Sequence, residues 1–410
     1  MRAAVHPTEA EATLARQFAA LNADAGRAAA FAAFEQRGLP NRRDEAWHYT
    51  DLRARLTEAA KPTSAPDGAR LAAAATVLAA LPRVGATRLV LVDGRYVAEL
   101  SDPPTGLTVT ESAEAPAPAD AVAALNVAFA ERTLRVGVAA GAEPGLLEIV
   151  HLDGPGAIYS RIGLSVPEAA KLTVFERFEG GTSETQRNAA VAIELDDQAR
   201  CDWTTLVADA AALHLEAPTA QLGAEAAFAN FALVAGPRLA RRQIDVAHAR
   251  PGAKIALAGL SLLDGSKHAD TTLTVRHSAP HGVSREFYRH IVADDAVGVY
   301  QGKVIVDQHS QKTDGGMKSQ ALLLSPTAQM NNKPELEIFA DDVVCGHGAT
   351  VGALDPNQVF YLEARGIPKA EAEAMLLEAF GVEVIERVED EVVAELLRER
   401  LAAWLKGRAA

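Results

Sequence analysis

The sequence predicts a mainly β chain, a solenoid of stacked short strands set between helical ends. Three observations carry this. From Leu146 to Ala364 almost every segment is a short alternating or β-branched run broken by turn residues, with no convincing amphipathic helix. Such evenly spaced strands mean a sandwich, barrel, propeller or β-solenoid. Acids, amides and glycine recur at strand ends, as at Asp264-Gly265, Asp294-Asp295 and Asp341-Asp342, where turns between rungs would need them, and no fixed propeller-type motif repeats. A helical period appears only at the two ends of the chain. Imperfect rungs can lose their sequence period while keeping a stacked core, so the solenoid is preferred.

Residues 1–82 read as a helical N-terminal domain. Leu14, Phe18 and Leu21 share one helix face; in AGRAAAFAAFEQRG, Phe31 and Phe34 share a side, Gly38 stands as a C-cap and Pro40 stops the run. The segment NRRDEAWHYTDLR, residues 41–53, packs Arg42, Arg43, Glu45, Trp47, His48 and Tyr49 together, and intramolecular packing of Trp47 and Tyr49 is expected. EAAKPTSAPDGARL is a linker by composition, and residues 71–81 suit one more alanine-rich helix. Residues 83–365 form the expected β core. It opens with a hairpin, RLVLVDGRYVAEL around Asp93-Gly94, passes an alanine-rich, partly helical stretch at 113–141, and ends with the runs PELEIFADDVVC and QVFYLEA read as strands. Residues 366–410 return to helices. Pro368 starts the first, with Leu376 and Phe380 four apart, and Gly381 is expected to break it. The last places Val392, Leu396, Leu397, Leu401, Trp404 and Leu405 on one stripe, with acids at its start and Lys406 and Arg408 near its end to complement the helix dipole.

Composition excludes several functions. The chain has 410 residues, a hydrophobic content of 49%, mean hydropathy of +0.01 and a net charge of −14, which describes a globular chain of two to three structural units with ample core and no basic face for nucleic acid. No apolar run reaches the roughly 20 residues that cross a bilayer, and the N-terminus reads as neither a secretory signal nor a transit peptide. Two isolated cysteines make no disulfide framework, so a reducing cytoplasm is the expected compartment. There is no GxxxxGK[ST] loop, no GxGxxG after a strand, no HExxH, no GxSxG and no CxxC, so an autonomous NTPase, nicotinamide enzyme, zincin or α/β-hydrolase is not expected.

The chemistry concentrates in Pro334–Gly352, PELEIFADDVVCGHGATVG. In an extended chain Cys345 and His347, two apart, share one strand face and put a soft donor beside an imidazole. The plain alternative is a buried thiol and a hydrogen-bonded histidine. His268, His277, His281, His290 and His309 are either surface and turn histidines or a diffuse set of nitrogen ligands. Two donors cannot complete a structural site, so a metal bound here would be labile or shared with a second chain. Two rival functions stand beside this: a carbohydrate-active β-helix using Asp341 and Asp342, which adjacency on a strand would send to opposite faces, and a metal-free homodimer joined through edge strands.

SREFYRHIVADDAVGVYQGKVIVDQHSQKTDGG, ALLLSPTAQ and PELEIFADDVVCGHGATVGALDPNQVFYLEARGI, with Glu45, Trp47, Tyr49, Thr50 and Leu52 near the N-terminus, closely resemble the SufB/SufD family of iron–sulfur cluster assembly proteins, most densely over roughly residues 250–380. The resemblance implies a right-handed parallel β-helix core flanked by N-terminal and C-terminal α-helical domains. It implies a non-catalytic scaffold in a complex with SufB and two copies of the ATPase SufC, which would supply the nucleotide chemistry. In the SufB branch a sulfur-handling cysteine precedes the Arg-Gly of the last strand; here FYLEARG has Leu362, so the sulfur-receiving role is not expected. Edge strands would meet SufB through Asp342, Val344, His347 and Thr350, and Leu376, Phe380, Leu397 and Trp404 would face SufC. His347, with Cys345, would stand where nascent clusters form, iron or a cluster being held transiently in the complex and no cofactor tightly in the isolated chain.

Overall fold

The computed structural model describes residues 6–139 and 141–409. From Leu146 onward, consecutive strands alternate between two sheets, one of ten strands and one of nine, and all pairs in this region are parallel. Each coil therefore contributes one strand to each sheet, which is a flattened parallel β-solenoid. In the ten-stranded sheet Lys254 lies beside Val283, Val283 beside Asp314, and Asp314 beside Val344, so one register runs through successive coils. The solenoid opens with antiparallel pairs. Thr87–Val92 turns back on Arg95–Tyr96 through Asp93 and Gly94, both at positive φ (50° and 80°), as the expected hairpin requires. Gly94 is needed for a second reason: a Cβ there would lie 2.6 Å from the Tyr159 carbonyl oxygen.

A ladder of corners explains why no repeat shows in the sequence. Ala169, Gln198, Glu225, Gly252, His281 and Lys312 occupy the same corner of successive coils, all with φ between 56° and 77°. Each donates its backbone N–H to a carbonyl one coil further on: Asp197, Ala224, Pro251, Pro280, Gln311 and Asp342 respectively. A left-handed backbone costs a non-glycine residue on the order of 1 kcal/mol. The inter-coil hydrogen bond supports it whatever the side chain, so six corners carry six residue types.

Inside, alternating residues of both sheets form an apolar core from Leu89 to Met317, interrupted by polar rungs. His151 meets Glu176 at 2.9 Å, and the Trp203 indole N–H donates to the same carboxylate at 3.1 Å. Arg242 clasps Glu216 with two bonds of 2.8 and 2.9 Å.

Helices cover the outer faces. α1 (Glu9–Ala19), α2 (Ala25–Arg37) and α5 (Ala121–Phe129) bury Leu14, Phe31, Phe34 and Phe129 against Leu213, Leu215 and Leu239 of the nine-stranded sheet. Between α2 and α5 lie the short α3 (Leu52–Arg55) and α4 (Gly68–Ala80), the latter starting three residues earlier than the sequence suggested because Asp67 caps it, accepting from Arg70 N–H. The linker docks on the solenoid, Pro62 bridging to Ala157. Trp47 is buried, with the Arg241 guanidinium 3.9 Å above its ring, whereas Tyr49 is half-buried. Thr50 closes this dock, its hydroxyl 2.8 Å from His268 Nε2 and bonded to Asp270.

At the other end, α6 (Pro356–Glu363) precedes α7 (Lys369–Ile385) and α8 (Glu391–Ala409), and these last two pack on Phe231, Leu233, Leu260 and Ile291 of the ten-stranded sheet. Three expectations are corrected here. QVFYLEA is helical: Asp355 caps α6 and Pro356 fits its first turn, overriding the β-propensity of Val359, Phe360 and Tyr361. Leu362 thus lies on a helix. Gly381 does not break α7; a Cβ there would lie 2.5 Å from Leu401 Cδ2, so the glycine lets α8 approach. Val392 is 59% exposed, and the buried stripe of α8 is instead Val393, Ala394, Leu396, Leu397 and Leu401.

Candidate functional site

Pro334–Gly352 splits into two strands, Gln329–Ile338 and Val344–Gly352, at the bend holding Asp341 and Asp342. Each is the last strand of its sheet, so the solenoid ends with both edges uncovered among the described residues. The edge is unusually apolar. Val344 is 73% exposed, Val351 47%, Phe339 62% and, on α6, Phe360 70%. A long, exposed edge strand is a template for pairing with another sheet, and exposed apolar side chains along it mark an interaction surface.

On the terminal strand Cys345 lies beside Gly315, His347 beside Met317 and Thr350 beside Gln320. Met317 belongs to the solenoid core and Cys345 packs against that core, so this alternation turns Cys345, His347, Ala349 and Val351 toward the interior. The expected pairing of Cys345 and His347 on one face is what the strand provides. Cys345 is half-buried, and burial pushes its thiol above the usual range. The imidazole of His347 is exposed, because no further coil closes over it. Gly346, Gly348 and Gly352 leave the opposite face bare, with open space around each. Thr350 and Val344 point that way, so three of the four residues expected at a partner interface divide between the two faces of one strand, Val344 and Thr350 opposite His347. Asp342 sits in the bend, its side chain paired with Lys312 and its carbonyl taking the last corner hydrogen bond.

The other histidines do not gather here. His268 is locked to Thr50, His277 and His248 share a 2.9 Å hydrogen bond, His290 is buried in the interior, and His281 and His309 lie in exposed turns. No group of three or more His, Cys, Asp and Glu side chains is placed to hold a metal among the described residues. Burial lowers His268 and His277 to about 4 and His290 to about 3, so all three are neutral.

Of the four residues expected to face SufC, Leu397 is fully buried, and Leu376, Phe380 and Trp404 are half-buried, with Phe380 and Trp404 turned onto the solenoid and the Arg289 guanidinium 4.3 Å from the Phe380 ring. The outward apolar residues of α7 and α8 are Met375 and Val392.

Sequence reasoning missed the interior side of REFYRH. Alternation turns Glu286, Tyr288 and His290 inward, beneath the terminal strand, and that spacing was the available signal.

Two family models match the chain: the SUF system FeS cluster assembly SufBD core domain over residues 150–380 and the SufBD protein N-terminal region over residues 8–112. The chain is 29% identical to the iron–sulfur cluster assembly protein SufD of Escherichia coli (strain K12), the match covering 91% of this chain and 90% of that one. It is 28% identical to an iron–sulfur cluster assembly SufBD family protein of Synechocystis sp., over 85% and 84% of the two chains. A shorter stretch is 36% identical to SufD of Bacillus subtilis, covering 26% of this chain and 24% of the other. With a β-solenoid between helical ends and a core model that spans more than half its length, the chain belongs to the SufBD family of iron–sulfur cluster assembly proteins.

Proposed function

We propose that this chain is a non-catalytic scaffold subunit that pairs edge to edge with SufB and contributes His347, with Cys345, to a site where iron or a nascent iron–sulfur cluster is held in transit. The observation that carries the reading is the uncovered terminal strand, which presents an exposed imidazole and a half-buried thiol on one face of an apolar edge. Iron here is cargo rather than a resident cofactor. A neutral imidazole and a thiolate are donors suited to ferrous or cluster iron. Two donors leave a coordination sphere open, and a partner strand laid along the same edge brings its own side chains to the gap. The chain has no phosphate loop, which fits nucleotide chemistry supplied by SufC, for which Met375 and Val392 on α7 and α8 are the available apolar contacts. No described helix is long and apolar enough to cross a membrane, and work in the cytoplasm fits the two unpaired cysteines. The carbohydrate-active alternative draws no support: Asp342 is tied to Lys312 in a bend, not set across a cleft from Asp341.

The test is anaerobic co-purification with SufB and SufC, with iron and sulfide measured. His347→Ala should leave the complex assembled and lower its iron and sulfide content. Unchanged cluster yield would remove His347 from the site. Size-exclusion of the chain alone and with SufB separates the heterodimer from a metal-free homodimer on the same edge.

A further inference from the structure

Seven arginines are buried among the described residues, and six of them meet a carboxylate. Arg88 is paired with Glu148, Arg177 with Glu179, Arg187 with Asp153, Arg241 with Asp270, Arg242 with Glu216 and Arg289 with Glu383. The seventh is Arg161, 3% exposed, in the strand Gly156–Val166 beside α5. Its Nε donates to Thr133 Oγ1 at 3.1 Å and its Nη1 to the carbonyls of Asn126 and Val127 at 3.3 and 3.4 Å, while Nη2 has no partner among the described residues. Burial lowers this guanidinium to about 10, which leaves it a cation at neutral pH.

The bonds to Asn126 and Val127 set Arg161 at the C-terminal end of α5, which carries about half a negative charge. That half charge is shared, because Arg27 takes the next two carbonyls, Ala128 and Phe129, at 2.8 and 3.5 Å. The helix end therefore does not neutralise Arg161, and a buried cation left short of an anion is costly.

Arg161 lines a cavity of about 300 Å3 between its strand, the end of α5 and the docked linker. The walls are largely apolar, with Leu21, Leu91, Val97, Phe129 and Leu134. Two more polar groups on this cavity are unsatisfied. Tyr159, two residues from Arg161 and so on the same strand face, stacks on Phe129 with ring centres 4.8 Å apart, and its hydroxyl has no hydrogen-bond partner among the described residues. Arg95 Nε is buried without a partner. Glu111, Glu131 and Arg132 are exposed where the cavity meets solvent, Glu131 paired with Arg95 at 3.4 Å and Glu111 with Arg132 at 3.8 Å. Three lining arginines against two glutamates leave one positive charge, that of Arg161.

We propose that this cavity binds a small monocarboxylic acid with an aromatic or branched apolar body. The carboxylate sits against Arg161 Nη2 and the Tyr159 hydroxyl, and the body fills the space toward Phe129, Leu91 and Leu134. Small-molecule sites are mostly apolar cavities of about 300–1,000 Å3 with a few placed polar groups, and a charge-assisted hydrogen bond fixes one end of the ligand. A single excess positive charge favours a singly charged anion over a phosphate monoester, which carries about −1.5 to −2 near neutral pH. The strand stands toward the opposite end of the nine-stranded sheet from Gln329–Ile338, so the site is independent of the reading of His347.

The experiment is isothermal titration calorimetry of the full chain with phenylacetate, indoleacetate and isocaproate. At least one should bind saturably at one equivalent, and its neutral amide should bind roughly tenfold or more weaker. Arg161→Met should weaken the acid by a similar factor and leave the amide little changed, which separates lost charge recognition from a damaged cavity. Because Arg161 also holds the end of α5, Tyr159→Phe is the second variant. It loses no hydrogen bond, should keep the melting temperature, and should weaken the acid roughly threefold. Should Arg161→Met fail to fold, Tyr159→Phe and the comparison of acid with amide decide the matter. Absence of saturable binding by all three acids would leave the cavity to water and overturn the site. Equal affinity for acid and amide, tighter binding of phenyl phosphate than of phenylacetate, or unchanged affinity in the variants would overturn it as well.

Discussion

Lowering the pH from 7 to 5 should destabilise this fold through histidines that are buried neutral, and His290 isolates the effect. Its ring is fully enclosed, both nitrogens lack partners, and burial lowers it to about 3. In the unfolded chain a histidine titrates near 6.5. Between those two values the unfolded state binds the extra proton, so stability rises with pH across this window and is lost as pH falls from about 6.5 toward 3. At pH 5 the gap to the unfolded value is about 1.5 units, or roughly 2 kcal/mol for His290. His268 and His277, lowered to about 4, have the same sign and add on the order of 2 kcal/mol each at pH 5. Glu286 opposes them. Burial raises it to about 7, so its native form holds a proton that the unfolded chain gives up above its ordinary carboxylate value, and acidification from pH 7 to 5 returns roughly 2 kcal/mol. The net expected loss is roughly 4 kcal/mol, a large part of a typical folding free energy of about 5–15 kcal/mol. The assay is urea unfolding followed by circular dichroism at both pH values. His290→Leu should be near neutral at pH 7, since no hydrogen bond is lost, and should retain roughly 2 kcal/mol more than the unaltered chain at pH 5. If the variant and the unaltered chain lose the same free energy between pH 7 and 5, His290 is not held neutral and the reasoning fails.

Two further outcomes follow from packing. Arg242→Met leaves Glu216 enclosed beside His214 without its bidentate cation; the expected cost is about 3–5 kcal/mol, and pairing it with Glu216→Leu should recover most of that in the same unfolding assay. Gly381→Leu drives a side chain into Leu401 between α7 and α8 and should cost about 1–3 kcal/mol, read as faster proteolysis after residue 366, with Leu401→Ala restoring protection.

Much of the candidate site was legible because strand alternation is a local rule. Spacing alone set Cys345 and His347 on one face, and the same rule applied to REFYRH would have turned Glu286, Tyr288 and His290 inward together. What spacing could not say is which face is the interior, or that Thr350 and Val344 point away from His347. Those facts need the register with Asp314–Leu323 and the knowledge that no coil follows. The C-terminal helices show the same limit from the other side. Their period was readable, yet Leu397 is enclosed and Val392 exposed because the solenoid, not the helix, chooses which face is covered.

By itself, the sequence determined that this protein is built of short strands between helical ends, that it lacks a nucleotide loop, and that its thiol and imidazole stand side by side near the end of the strands. These follow from propensity and period, which act over a few residues. The coil was expected from the sequence, but only the tertiary structure decided where its corners fall, because they are held by backbone hydrogen bonds between coils that accept Ala169, Gln198, Glu225 or Lys312 alike. Tertiary structure also decided which buried acid lacks a partner. Seven carboxylates find an Arg or His, three of them more than thirty residues away, while Glu286 finds none. Charge pairing in a low-dielectric interior is a property of the packed molecule, and no pattern along the chain records it.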